Sequence, residues 1–203
     1  MAGIPLTRNR VSPEREAAIR AAVREQTGLP GPESDSRLAQ PEDAPAVFRF
    51  LSDPAVFAPI YSLPRPLTED TVRDWIKAHL AERAAGTGLL FLRADEAGEI
   101  TGYSDFQVWP QWAAGELGGA LRADRQSQGQ GGAGAKTSFT WMFEALGLDL
   151  ICSTASLDNV RTARLLDHLG FERMGEVESK RPDGSTRASL VWEVSREAWF
   201  KPA

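Results

Sequence analysis

The segment Gln126-Ser-Gln-Gly-Gln-Gly131, together with the residues up to Phe171, constrains the fold more than any other part of this chain. Its glycines leave backbone amides unhindered at the mouth of a helical pattern, in which Ala135, Phe139, Met142, Phe143 and Leu146 share one face. Gly147 stops that helix, and Leu150-Ile-Cys-Ser-Thr154 reads as a buried strand. Asp158-Asn159 then makes a polar turn into a second helix, with Ala163, Leu166 and Leu169 inward. A helix N-terminus with free N–H groups suits a pyrophosphate. The pattern predicts a fold built around a ligand with a diphosphate and a long polar arm.

The rest of the chain supplies a sheet for this unit. Residues 1–36 read as an N-terminal helical extension and linker, with Ser12-Pro13-Glu14 as a capped helix start and Gly28-Leu-Pro-Gly-Pro32 as its end. The main domain is expected over 37–203. A short strand at 37–40 leads to a helix opened by Pro41-Glu-Asp-Ala44, with Val47, Phe48 and Leu51 on one face. A proline-rich loop runs from Phe57 to Pro66, and Thr68-Glu-Asp-Thr71 resembles a second helix start. His79 is expected at that helix's edge. Strands at 88–93, 100–108 and 116–122 form a meander, and 171–177 with 188–194 form a closing hairpin around Pro182-Asp-Gly184. The class is α/β with a mixed sheet.

Composition narrows the chemistry. Of 203 residues, 42% are hydrophobic, enough for one real core. A net charge of −5 argues against a nucleic-acid partner. The single cysteine, Cys152, excludes an intrachain disulfide, and His79 and His168 share no metal-ligand spacing. No metal site is expected. No run approaches the roughly 18 apolar residues of a membrane span, and the reading is a soluble cytoplasmic protein that binds no membrane.

The glycines admit more than one reading. Gly129-Gln-Gly-Gly-Ala-Gly134 matches G-x-G-x-x-G literally, but polar residues 123–128 stand where a dinucleotide fold needs a buried strand. A triphosphatase phosphate loop fails in register, because Gln130 and Ala135 occupy its two glycine positions before Lys136. Gln126-Ser-Gln-Gly129-Gln-Gly131 does resemble the Q/R-x-x-G-x-G/A signature of the GNAT N-acetyltransferases. The following helix, strand, Asn159 turn and Leu169-Gly-Phe171 keep that family's order. Gln40-Pro-Glu-Asp-Ala44, Ser52-Asp-Pro54 and the closing Pro182-Asp-Gly184 with Ala198-Trp199 resemble its RimJ/RimL ribosomal-protein branch. One departure is Gly132-Ala-Gly134, glycine-rich where the family usually is not, which weakens the first helical turn.

The resemblance implies a single GNAT-like domain, its mostly antiparallel central sheet splayed at the cofactor site and flanked by helices. It implies acetyl-CoA as cosubstrate and a primary amine as acceptor. Cofactor contacts are expected from Arg122, Gln126, Ser127, Gln128, Gly129, Gln130, Gly131, Gly132 and Ala133, with the glycines at 129 and 131 close to the pyrophosphate. Ala120 and Leu121 are expected on the pantetheine arm, with Asn159 and Thr162 on the opposite wall. Homodimers are common among similar proteins, and the exposed sheet edge offers a surface to a second copy. A non-catalytic CoA-binding module on the same fold stays open as an alternative.

For the proton of the amine, Glu116 is the leading base candidate, with Asp105 and Glu178 behind it. Thr162 is the candidate donor to the leaving sulfur. Cys152, inside an apolar strand, reads as a packing thiol. Phe106, Trp109, Trp112 and the loop 57–61 are expected to flank the acceptor, and neither Tyr61 nor Tyr103 falls where the family places a tyrosine.

Overall fold

The computed structural model describes residues 3–31, 35–125 and 130–201, with side chains left undescribed at 125, 130 and 131. Among these residues seven α-helices, α1 (Pro13–Glu25), α2 (Ala44–Leu51), α3 (Pro54–Phe57), α4 (Glu69–Ala85), α5 (Gln130–Glu144), α6 (Val160–His168) and α7 (Arg196–Phe200), surround one sheet. Its strands are β1 (Arg37–Leu38), β2 (Gly88–Ala94), β3 (Ile100–Trp109), β4 (Ala114–Leu121), β5 (Leu150–Ser156), β6 (Glu172–Lys180) and β7 (Thr186–Ser195), in spatial order β1-β2-β3-β4-β5-β7-β6. Every pairing is antiparallel except β4 with β5.

That one parallel pairing is short. Ala114, Gly115 and Glu116 pair with Leu150, Ile151 and Cys152, and the ladder ends there. Both strands continue, β4 to Leu121 and β5 to Ser156, without pairing to each other. The sheet is therefore open between residues 117–121 and 153–156. β4 stays paired with β3 through Leu121, and β5 with β7 through Ser156, so each lip is held from behind.

Local signals set the helices. Thr68 caps α4 reciprocally: its hydroxyl accepts the Thr71 N–H at 3.1 Å, and the Thr71 hydroxyl accepts the Thr68 N–H at 3.0 Å. Gly86 ends α4 in the left-handed region (φ 72°), where a β-carbon would also meet the Arg20 backbone at 2.6 Å. Ser12 caps α1 as expected, and that helix stops at Glu25, ahead of Gly28. The stretch after Asp53 forms the single turn α3, capped by the Asp53 carboxylate.

Strand alternation sorts the two faces. Phe91, Phe106, Val108, Ile151 and Trp192 point into a core shared with α5 and α6. Ile19 and Val23 of α1 join this core, so the N-terminal helix packs as part of the body. Leu90, Leu92 and Tyr103 point the other way, into a second core under α2 and α4. Arg20 and Arg24 of α1 donate to the Ala85 and Ala84 carbonyls at the α4 terminus, at 2.9 and 2.8 Å. Cationic donors there complement the negative helix end. No helix among the described residues is long and apolar enough to cross a membrane.

Candidate active site

A continuous cavity of about 840 Å³ passes through the gap between β4 and β5. On the α5/α6 side it is lined by Ala135 and Ser138 of α5 and by Asn159, Thr162 and Leu165 of α6. On the α4 side it is lined by Tyr61, Trp75, His79, Asp105, Glu116 and Arg187. Gly118, Gly119, Ala120 and Leu121 form the lip between the two halves.

The register brings the chemistry together at the point where the strands part. Glu116 is the last β4 residue paired to β5, opposite Cys152. Two residues on, Thr154 faces the same side, and its hydroxyl donates to Glu116 Oε1 at 2.8 Å. The Tyr61 hydroxyl stands 3.5 Å from Thr154 Oγ1. Burial pushes the Glu116 carboxyl up to about 7; the Thr154 bond opposes this and the Asp105 charge adds to it. Burial also raises the Tyr61 phenol, helped by the Glu116 charge, so it keeps its proton at neutral pH. A carboxyl that titrates near neutrality and opens into a cavity can accept a proton during a reaction.

Beside it sits a second pair. His79 Nδ1 donates to the Trp75 carbonyl at 2.9 Å, which leaves Nε2 facing Asp105 Oδ1 at 3.1 Å. Burial alone would lower the imidazole, but the Asp105 charge and hydrogen bond outweigh it and hold His79 up at about 9. Charged His79 balances Asp105 near Glu116. His79, expected at the helix edge, is partly buried: it follows Val72 and Ile76 on the inward stripe, with Trp75 edge-on at 4.8 Å.

The other candidates are spread along the cavity and beyond it. Asn159 caps α6, its oxygen accepting the Thr162 N–H at 3.0 Å, which leaves its amide NH₂ for a ligand. Ala120 and Leu121 lie on the lip, and Thr162 on the α6 wall. The Arg122 guanidinium is held between Asp95 (3.0 Å) and Asp124 (2.8 Å), and its backbone N–H bonds the Thr101 carbonyl, away from the cavity. Gln126, Ser127, Gln128 and Gly129 lie outside the described residues. Gln130, Gly131, Gly132 and Ala133 form the first turn of α5. Glu178 is exposed on β6, outside the cavity.

Two aromatic expectations need correction. Phe106 is fully buried against Phe91 and Trp141 in the α5-side core. Trp112 sits on the turn before β4 under the Arg8 guanidinium, outside the cavity. Trp109 and the loop residues Pro59, Ile60 and Tyr61 do line it. Burial raises the Cys152 thiol well above its ordinary value, as a packing role requires. Thr154 is a site residue that sequence reasoning misses; strand alternation from Cys152 is the one signal that points to it. The loop placed Tyr61 near the acceptor, but nothing local announces its contact with Thr154.

The lip fits an extended thioester arm on a structural test. Gly119 sits at φ 157°, and a β-carbon there would meet the Tyr103 carbonyl at 2.5 Å. Beyond Glu116 the β4 backbone edge that faces β5 has no strand partner. An unpaired strand edge accepts an extended, amide-bearing chain by strand addition. Among the described residues no group of three or more His, Cys, Asp or Glu side chains is placed to hold a metal ion.

A mixed sheet parted around a through-cavity defines the class as an acetyltransferase fold. Residues 37–172 match the family model described as an acetyltransferase (GNAT) domain, and the chain belongs to that family. No curated protein matches significantly. Among solved structures, ribosomal-protein-S5-alanine acetyltransferase from Vibrio fischeri superposes with a TM-score of 0.67 at 19% identity, over 87% of this chain and 100% of that one. Mycobacterium smegmatis RimJ in complex with CoA-disulfide gives 0.66 at 22% identity, over 82% and 83%. AAC(6')-Ib in complex with ribostamycin and coenzyme A gives 0.64 at 18%, over 88% and 100%. At these identities the likeness is one of fold.

Proposed function

We propose that this protein transfers the acetyl group of acetyl-CoA directly to a primary amine, with Glu116 as the base. The observation that carries the reading is the position of Glu116: it ends the β4–β5 ladder and faces the cavity that opens there. Acetyl-CoA supplies an activated acyl group on a good leaving thiol. The chain's own residues do the rest. The unpaired edge at 117–121 and the Asn159 amide hold the arm, and the N-terminal turn of α5 faces the phosphates with its free N–H groups. Glu116, deprotonated above pH 7, takes the proton of the incoming ammonium. Backbone N–H groups at the lip donate to the acyl oxygen as charge develops on it. The Thr162 hydroxyl, on the α6 wall, meets the departing sulfur.

The test is calorimetric binding and thermal shift with acetyl-CoA, CoA, NAD and ATP, followed by acetylation of an amine panel. A ligand at a hundred times its Kd adds about 2.7 kcal/mol. Stabilisation by acetyl-CoA and turnover on an amine are expected, with Glu116→Gln retaining binding and losing about 10²- to 10⁴-fold in rate. Stabilisation by NAD or ATP instead, or an unchanged rate in Glu116→Gln, overturns the reading.

A further inference from the structure

The cavity has a second charged wall that transfer chemistry does not use. Lys180 at the end of β6, Arg181 in the turn after it and Arg187 near the start of β7 all line it. Among the described residues none of the three is in a close ion pair; the Asp158 charge acts on Arg187 and the Asp183 charge on Arg181 at longer range. Arg187 is fixed in place. Its guanidinium lies 4.3 Å above the Tyr61 ring, and one terminal nitrogen donates to the Pro59 carbonyl at 3.3 Å. The Arg181 guanidinium donates to the Ser185 hydroxyl at 3.5 Å, beside Asp183. Three cationic side chains on one cavity wall suit an anionic ligand.

Tyr61 sets the distance from this wall to the base. Its ring lies under Arg187 and its hydroxyl meets Thr154, which donates to Glu116. The cationic wall and the proton acceptor are thus separated by one tyrosine side chain. On the far side of Glu116 the acids Asp105 and Glu82 have His79 between them, at 3.1 and 3.9 Å. The hairpin wall is cationic, whereas on the α4 side charged His79 offsets the carboxylates.

We propose that Arg187, with Arg181 and Lys180, forms an anion subsite for the acceptor, and that the preferred acceptor is a primary amine carrying a carboxylate about one side-chain length from its nitrogen. The inference rests on the reading of Glu116 as the amine's destination. A peptide N-terminus followed by an acidic residue has this chemistry, and so does a free acidic amino acid. Polyamines and aminoglycosides present cations to the same wall and are disfavoured by like charge. The planar fork of arginine suits a carboxylate better than an ammonium point charge would.

The experiment compares kcat/KM for three dipeptide amides, Ala-Glu, Ala-Gln and Ala-Lys, with free glutamate as a second source of the same chemistry. The Glu peptide is expected to exceed its Gln isostere at least tenfold, with the Lys peptide below both. Arg187→Gln is expected to draw the Glu-to-Gln ratio towards one, and Arg187→Lys to restore part of it. If Arg187→Gln does not fold, the same ratio is read in Arg181→Gln and Lys180→Gln at the hairpin end. Glutamate outrunning the Glu peptide would make the free amino acid the source; the reverse would make it a peptide. In parallel, calorimetry measures the N-acetylated Glu and Gln peptides, which bind without transfer. Preferential binding of the Glu form without turnover on any amine would uphold the subsite and sink the transferase reading alone. Equal kcat/KM and equal binding of the Glu and Gln forms, or a ratio unmoved by the arginine substitutions, overturns the subsite.

Discussion

Thr154 Oγ1 donates a 2.8 Å hydrogen bond to Glu116 Oε1 across the point where β4 and β5 separate. The bond ties the candidate base to the opposite lip of the cavity and favours its charged form, against the burial that raises it. Thr154→Val removes the donor at nearly constant volume. The carboxyl then titrates above its present value of about 7, so the acidic limb of the pH–rate profile moves to higher pH. The rate at about pH 6 falls while the plateau above about pH 9 is nearly kept. A limb that stays in place would show that Thr154 does not act on the titrating group.

Glu116 also leaves a thermodynamic signature that needs no substrate. Its folded value of about 7 lies above the ordinary 4.5, so between these two the folded chain binds more protons than the unfolded one. Its contribution to stability therefore falls as pH rises from 4.5 to about 7, and the penalty is complete above that window. Glu116→Gln lacks the penalty. Relative to the parent, its Tm should climb across that same window and stay higher at about pH 8, as read by scanning calorimetry.

His79 gives the opposite sign. Its folded value of about 9 exceeds the ordinary 6.5, so its pairing with Asp105 contributes fully below 6.5 and is lost as pH rises through 9. His79→Asn should be less stable than the parent at about pH 6, and the gap should narrow between about pH 6.5 and 9. A constant gap would mean that only packing against Trp75 was lost.

How much of this was legible depended on the range of the signal. Helix starts at Ser12 and Thr68 and the closing hairpin are local, and caps and alternation fixed them to within a few residues. Cavity contacts are not local: Thr154 meets Glu116 over 38 positions and Tyr61 over 93. The proline-rich loop that holds Tyr61 has no period from which to read its direction. The misplacement of Phe106 was avoidable in principle, because residues three apart on a strand face opposite ways and Trp109 lines the cavity. Arg122 looked free in sequence because its two carboxylate partners are set by a turn, at Asp95, and a single helical turn, around Asp124.

The N-terminal segment closes the acceptor half of the cavity and gives the last prediction. Ile4 is buried against Cys152 and Val191 and lines the cavity. The Leu6 and Thr7 N–H groups both donate to Glu193 Oε1, at 2.6 and 3.1 Å. Glu193 lies on β7 opposite Cys152, so one buried carboxylate fastens the segment beside the strand pair that carries Glu116. Ile4→Ala should cost about 2–5 kcal/mol in urea denaturation, the range for truncating a buried isoleucine. Glu193→Gln keeps an oxygen for the two N–H groups but loses the charge assistance, and should cost only about 1 kcal/mol. Because Ile4 also bounds the cavity, Ile4→Ala should admit bulkier amines and flatten the dependence of kcat/KM on acceptor size. A stability loss with an unchanged size dependence would confine the segment to a packing role.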